Sequence, residues 1–281
     1  MFTGIRGTSI AMLGIDRGVL VGADKRAGNT LSNAISDGTS KILPIHPAGL
    51  VTGCGLAALQ SEDDQHITVD IFRMFRRLCR YPQFQFQPDD FHRIGQAWMD
   101  LLSDHLKNCA PRHWPETPPS GYWFRSLFVH QRGGTVKAWD LDFEYERLDP
   151  WPRLDCRLDS IKDDFVNQGH LLMEGDQRGA GYLDRAPAVG LFLPETHKAW
   201  TSGIDPIEVN IKKGARILKD ALFANHLCST RSDGERSVGD TCDIAFVDRE
   251  VGFRWYEQNA STAPSSLSGL PDRPCRGNLH R

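Results

Sequence analysis

The first 55 residues are organised as short runs of apolar and β-branched positions separated by turn chemistry. Thr8 to Ile15, Gly18 to Asp24, Lys41 to Ile45 and Gly49 to Gly53 are bounded by Asp16-Arg17-Gly18, Ser36-Asp37-Gly38 and His46-Pro47-Ala48-Gly49. Runs of this length between such turns predict four strands in two antiparallel pairs. The period then changes. Ile67, Ile71, Met74, Phe75 and Leu78 recur at three and four, one face of a helix, and Pro82 ends it. A second helix starts after Pro88-Asp89-Asp90, carries Phe91, Ile94, Trp98, Leu101, Leu102 and His105, and runs to about Ala110. The Pro-rich stretch 111–119 reads as a loop.

Alternation returns from Tyr122 to His130 and from Thr135 to Tyr145, around an Arg132-Gly133-Gly134 turn. Residues 149–168 carry no clear period. His170 to Glu174 reads as a strand closed by a glycine-rich run to Gly181, and Ile207, Ile211, Ala215, Leu218 and Leu222 mark a third helix. Thr241 to Val247 and Val251 to Tyr256 form a last hairpin. Strands in antiparallel runs with helices in pairs predict an α+β fold, two stacked sheets with helices on the outer faces. No repeat is visible, and one domain over 8–257 is expected, with 258–281 as a flexible tail rich in Ser, Pro and Gly.

Composition narrows the function classes. In 281 residues, 33 Lys and Arg against 36 Asp and Glu give a net charge of -3, with no basic block, which argues against a phosphate-backbone binder. The 7 cysteines, at 54, 79, 109, 156, 228, 242 and 275, are odd in number and scattered, as suits reduced thiols of a cytoplasmic protein. No run approaches the ~18 apolar residues of a membrane span. Neither nucleic acid nor membrane is an expected partner.

Two apparent motifs lack the context they need. Gly53-Cys54-Gly55-Leu56-Ala57-Ala58 fits G-x-G-x-x-A between a strand and an expected helix, but no parallel strand with a terminal acid follows ~20 residues on. His92, His105, Cys109 and His113 include one i, i+4 pair, with Pro111 intervening and no second ligand pair. No cofactor and no metal is expected.

A third constellation carries more. Gly7-Thr8-Ser9 opens the first strand, Asp24-Lys25-Arg26-Ala27 closes the second, and Lys41 opens the third. Each residue alone has an ordinary structural role. A Thr hydroxyl, however, becomes a nucleophile beside a base, and an α-amino group freed by cutting the Gly7–Thr8 bond has a pKa of about 7.7–8.0, suited to that task. Lys41 would lower the pKa of hydroxyl and amine, Asp24 would hold the ammonium, and Arg26 would support Asp24 or the turn. Gly55, at an expected strand-to-helix turn, would offer a backbone N–H to the oxyanion with help from the helix N-terminus.

In order and near-identical spacing, G-T-S, G-V-L-V-G-A-D-K-R-A, S-D-G-T-S-K-I and L-V-T-G-C-G-L-A-A across residues 7–58 resemble the catalytic start of proteasome β subunits, which are N-terminal-nucleophile (Ntn) hydrolases. The segment Gly175 to Arg185 and Ser237-Val238-Gly239-Asp240-Thr241-Cys242-Asp243 look most like the Anbu-type bacterial homologues. The resemblance implies a four-layer αββα sandwich and a self-processed threonine peptidase acting through an acyl-enzyme, with residues 1–7 as a short propeptide. By it, Thr8, Asp24 and Lys41 are catalytic, Gly55 is the oxyanion donor, and Arg26 and Ser237 are supporting residues. It implies a peptide or unfolded-protein substrate and a homo-oligomeric ring, leaving any ATPase unfoldase partner unidentified. Positions matching Ala27, Gly53 and Ala57 line the specificity pocket in relatives, and their small size here suggests a roomy one. The Trp-bearing middle (Trp98, Trp114, Trp123, Trp139, Trp151) suggests apolar surface for assembly. A non-catalytic ring subunit and an Ntn amidase or acylase are the alternatives.

Overall fold

The structure, a computed structural model, describes residues 2–7, 9–29, 35–45, 48–61, 67–78, 91–108, 121–146, 153–160, 163–175, 177–185, 192–230 and 236–263. Strands are β1 (Phe2–Gly7), β2 (Ser9–Ile15), β3 (Gly18–Asp24), β4 (Ala27–Asn29), β5 (Ile35–Ser36), β6 (Ile42–Ile45), β7 (Gly49–Ser61) and β8 (Ile67–Asp70). After helices α1 (Ile71–Leu78) and α2 (Phe91–Asn108) come β9 (Gly121–Arg132), β10 (Thr135–Glu146) and β11 (Arg153–Ser160). The remainder is α3 (Asp163–Asn167), β12 (Leu171–Gly175), α4 (Ala180–Leu183), α5 (Pro194–Thr201), α6 (Ile211–Cys228), β13 (Thr241–Asp248) and β14 (Gly252–Ser261).

These form a mixed α/β fold with two antiparallel sheets. The smaller sheet has the order β12-β2-β3-β13-β14. Its central strands read as unbroken apolar runs because both faces are buried. One face (Ala11, Leu13, Leu20, Ile244, Phe246) packs on Leu183, Ala199, Leu218 and Leu222 of α4, α5 and α6. The other (Ile10, Met12, Val19, Val21, Ala245, Val247) packs on Ile42, Leu50, Cys54, Leu127 and Val129 of the larger sheet. That larger sheet has the order β11-β10-β9-β7-β1-β4-β5, with β6 and β8 also paired to β7. Side chains alternate across a strand, so Phe124 and Phe128 of β9 point away from Leu127 and Val129. They meet Phe75 of α1 and Trp98 of α2, with ring centroids 5.5 Å apart for Phe75–Phe128 and 5.9 Å for Trp98–Phe124.

Several expectations change. Trp98 is fully buried in this aromatic cluster, so it supplies core rather than assembly surface. Trp139 is half-buried, while the side chains of Trp114, Trp123 and Trp151 lie outside the described residues. No helix opens at Gly55. Instead β7 continues to Ser61, because its second half gains two partners, β1 on one flank and β8 on the other. Ile67 lies in β8, and the helix begins at Ile71. β14 runs to Ser261 and Thr262 is buried, so residues 258–262 are ordered structure rather than tail. β11 and α3 fall within 149–168, the stretch that carries no clear period. The Arg132 to Thr135 connection is a two-residue turn, with Gly133 and Gly134 at φ of 55° and 77°, the region a hairpin turn of this kind demands. Among the described residues no helix is long and apolar enough to cross a membrane.

Candidate active site

The chain changes sheets between Gly7 and Ser9. β1 ends at Gly7 in the larger sheet, antiparallel to β4 on one side and β7 on the other, with Gly7 opposite both Ala27 and Gly55. β2 opens at Ser9 in the smaller sheet. Thr8, the expected nucleophile, lies outside the described residues, but both of its neighbours are fixed. β6 lies along the same flank of β7 as β1, with Ile42 opposite Thr52. Lys41, one residue earlier, therefore reaches β7 near Gly53, two positions from the glycine that faces Gly7.

Asp24 joins these parts. It ends β3, is fully buried, and among the described residues accepts hydrogen bonds from Lys41, Ser9, Arg26 and Gly239. Its Oδ1 takes the Lys41 Nζ at 2.5 Å and the Ser9 backbone N–H at 2.9 Å. Its Oδ2 takes the N–H groups of Arg26 and Gly239, each at 3.1 Å. One carboxylate oxygen thus bridges the Lys41 ammonium to the residue immediately after Thr8. Lys41 is 3% exposed. Burial pushes its pKa below the usual lysine value, and the Asp24 charge and hydrogen bond oppose that push. The sign is that of a lysine brought toward the range where it can exchange a proton.

The other expected residues fall in distinct places. Arg26 serves Asp24 through its backbone N–H. Its guanidinium makes a two-pronged contact with Asp37 (2.5 and 2.9 Å) and reaches the Arg236 carbonyl at 3.0 Å. Ser237 accepts from Arg178 at 2.6 Å and donates to the Ser229 carbonyl at 3.1 Å, and within its segment Gly239 is the residue that meets Asp24. Gly55 lies in β7 with φ 95°, a conformation glycine adopts without penalty, and no helix dipole stands behind its N–H. His92, His105, Cys109 and His113 carry no side-chain description, and the described residues include no cluster of three metal-ligating groups.

Sequence reasoning missed the second support of β2. Asn225 of α6 donates to Ser9 Oγ at 2.8 Å and accepts from the Gly179 N–H at 2.8 Å, tying the strand after Thr8 to α6 and α4. The signal was present: Asn225 is a polar residue continuing the apolar stripe Ala215, Leu218, Leu222. Beneath the site Arg125 of β9 pairs with Glu174 of β12 at 2.8 Å, bridging the two sheets. Cys54, next to Gly55, is no rival nucleophile. Burial, and then the Glu174 charge, push its thiol up to about 12, so it stays protonated near neutral pH.

No protein-family model matches the chain, and no curated protein matches it. Solved structures do. The helical assembly of the Anbu complex from Pseudomonas aeruginosa aligns at TM-score 0.54 and 10% identity, covering 92% of this chain and 89% of that one. The Anbu (ancestral beta-subunit) from Yersinia bercovieri aligns at TM-score 0.50 and 10% identity, over 86% and 82%. This chain has the fold of the Anbu proteins, bacterial proteasome-like homologues.

Proposed function

We propose that this chain is an Ntn threonine peptidase that cuts its own Gly7–Thr8 bond and then hydrolyses peptide bonds from the exposed Thr8. The observation that carries the reading is the buried Lys41–Asp24 pair, whose shared oxygen also holds the Ser9 N–H one residue from Thr8. A structural subunit gains little from burying an ammonium there, since a buried pair is weak as a source of stability. The packing of helices on both outer faces of two stacked sheets supports the four-layer αββα arrangement of such hydrolases.

In the self-cleavage, the Thr8 Oγ adds to the Gly7 carbonyl carbon and the Gly7–Thr8 C–N bond breaks. The acyl group passes to oxygen, and the amide nitrogen, gaining a proton, becomes the free α-amine. Water then cleaves the ester and releases residues 1–7 with a new carboxylate. Lys41, held by the carboxylate that also holds the Ser9 N–H, supplies positive charge and a proton-exchanging amine, and the freed α-amine serves as base in later turnover. The Gly55 N–H is assigned to the developing oxyanion because Gly55 lies opposite Gly7. Substrate chains are read as taking the path of β1, extended between β4 and β7, where backbone pairing supplies affinity. The helical assembly of the Pseudomonas aeruginosa Anbu complex supports assembly of this chain into a homo-oligomer as well.

Turnover of fluorogenic peptides beside simple amides tests the activity. Wild type should release fluorophore from peptides, and Thr8→Ala should lose that activity by about 10³-fold or more, as expected when an activated nucleophile is removed. Turnover confined to small amides would move the assignment to an amidase. Full activity in Thr8→Ala would remove both enzyme readings.

A further inference from the structure

The larger sheet lines up one row of positions that bears on what this site accepts. Gly7 is opposite Ala27 in β4 and Gly55 in β7, and Gly55 is in turn opposite Phe124 in β9. Residues paired across an antiparallel sheet project to the same face. A side chain at position 7, the residue before the scissile bond, would therefore stand on the face that carries Phe124. Gly53 is the next position of β7 on that face. A Cβ built on Gly53 would lie 2.3 Å from Phe124 Cζ, so the ring already covers the space left by the missing side chain.

The ring is fixed there. Phe124 is fully buried and makes edge contacts with Phe72 at 5.6 Å and Trp98 at 5.9 Å between centroids. The small residue at 53, which by sequence suggested a roomy pocket, makes room for an aromatic ring from the neighbouring strand. Pocket volume is set by the cross-strand neighbour as much as by the position itself.

We propose that Phe124 walls the pocket for the residue preceding the cleaved bond and restricts it to small side chains: Gly, Ala and Ser are accepted, and Leu, Phe and Tyr are excluded. This rests on reading Gly7–Thr8 as the scissile bond and the path of β1 as the substrate path.

The test has an arm that needs no catalysis. In a Thr8→Ala chain, which cannot cut itself, Gly7→Leu should make the amides of residues 2–7 exchange with deuterium at least about tenfold faster, as the new side chain meets the ring and β1 loosens. Adding Phe124→Ala should restore the protection. Phe124→Leu, which keeps an apolar side chain, serves if the alanine variant does not fold. Unchanged exchange in Gly7→Leu, or faster exchange that persists when the ring is removed, overturns the proposal.

The second arm uses peptides. Wild type should cleave after Ala at least about tenfold faster than after Leu, and the Phe124 variants should reduce or reverse that ratio. Discrimination of this size is within reach of a hydrophobic pocket that rejects added methylenes. Equal cleavage after Ala and Leu in the wild type overturns the proposal. Restored protection in the exchange arm without any peptide cleavage supports the pocket and counts against the peptidase reading alone.

Discussion

Lys41→Met will leave residues 1–7 attached to the chain. The substitution keeps the length and apolar stem of the side chain and removes the ammonium that Asp24 holds beside the start of β2. General acid–base help is worth about 10²–10⁴ in rate, and the positive charge held with Ser9 on Asp24 is lost with it. Self-cleavage is therefore expected to slow by about 10³-fold or more, followed by the N-terminal sequence of the purified protein over time. Lys41→Arg distinguishes the two contributions. It retains the charge but cannot release a proton near neutral pH, so it should also fail if proton exchange is what Lys41 supplies. Cleavage at the wild-type rate in Lys41→Met would take Lys41 out of the mechanism.

The same lysine gives stability a defined pH dependence. Its folded pKa lies below the unfolded value of 10.5. Between the lowered value and 10.5 the unfolded chain holds a proton that the folded chain has released. Stability from this group therefore rises with pH across that window, and it is lost as pH falls through the folded pKa. Lys41→Met should flatten that part of the stability profile.

Asp24→Ala has the largest expected effect on folding. The carboxylate accepts from Lys41, Ser9, Arg26 and Gly239, which come from four separate segments. Deleting it leaves a buried ammonium without this acceptor and three backbone N–H groups without theirs. Removing one partner of a buried pair costs about 3–5 kcal/mol, which in a chain of this size lowers the melting temperature by roughly 10 °C. Thermal unfolding followed by circular dichroism measures it. The double variant Asp24→Ala, Lys41→Met should be more stable than the sum of its singles predicts, because the second change removes the stranded charge. Strict additivity would mean that the two side chains are not energetically coupled.

The parts of this structure legible in the sequence are those in which local pattern and tertiary environment agree. β3 runs from Gly18 to Asp24 as its apolar run and flanking turns require, and α2 ends within two residues of its expected end. Asp24 and Lys41 could be brought together on paper because each closes or opens a strand at the same end of the sheets. What the sequence hid depends on partners distant along the chain. Gly55-Leu56-Ala57-Ala58 has the composition of a helix start, yet β1 and β8 recruit it into a strand, a tertiary override of local propensity. The neighbour of Gly53 is hidden for the same reason: the ring that occupies the space beside it belongs to Phe124, 71 positions later in the chain. Asn225 was available as a polar break in an apolar stripe, but the stripe alone did not reveal which strand it would meet. Ser237 lay in the right segment, and the contact to Asp24 is made by the Gly239 backbone, which carries no side-chain signature.

The most direct measurement is the intact mass of the purified, folded protein beside that of Thr8→Ala. The wild type is expected to lose residues 1–7 and begin at Thr8, while Thr8→Ala keeps its full N-terminus. A folded, assembled wild type that retains residues 1–7 would contradict it and assign the chain to a structural, non-catalytic role.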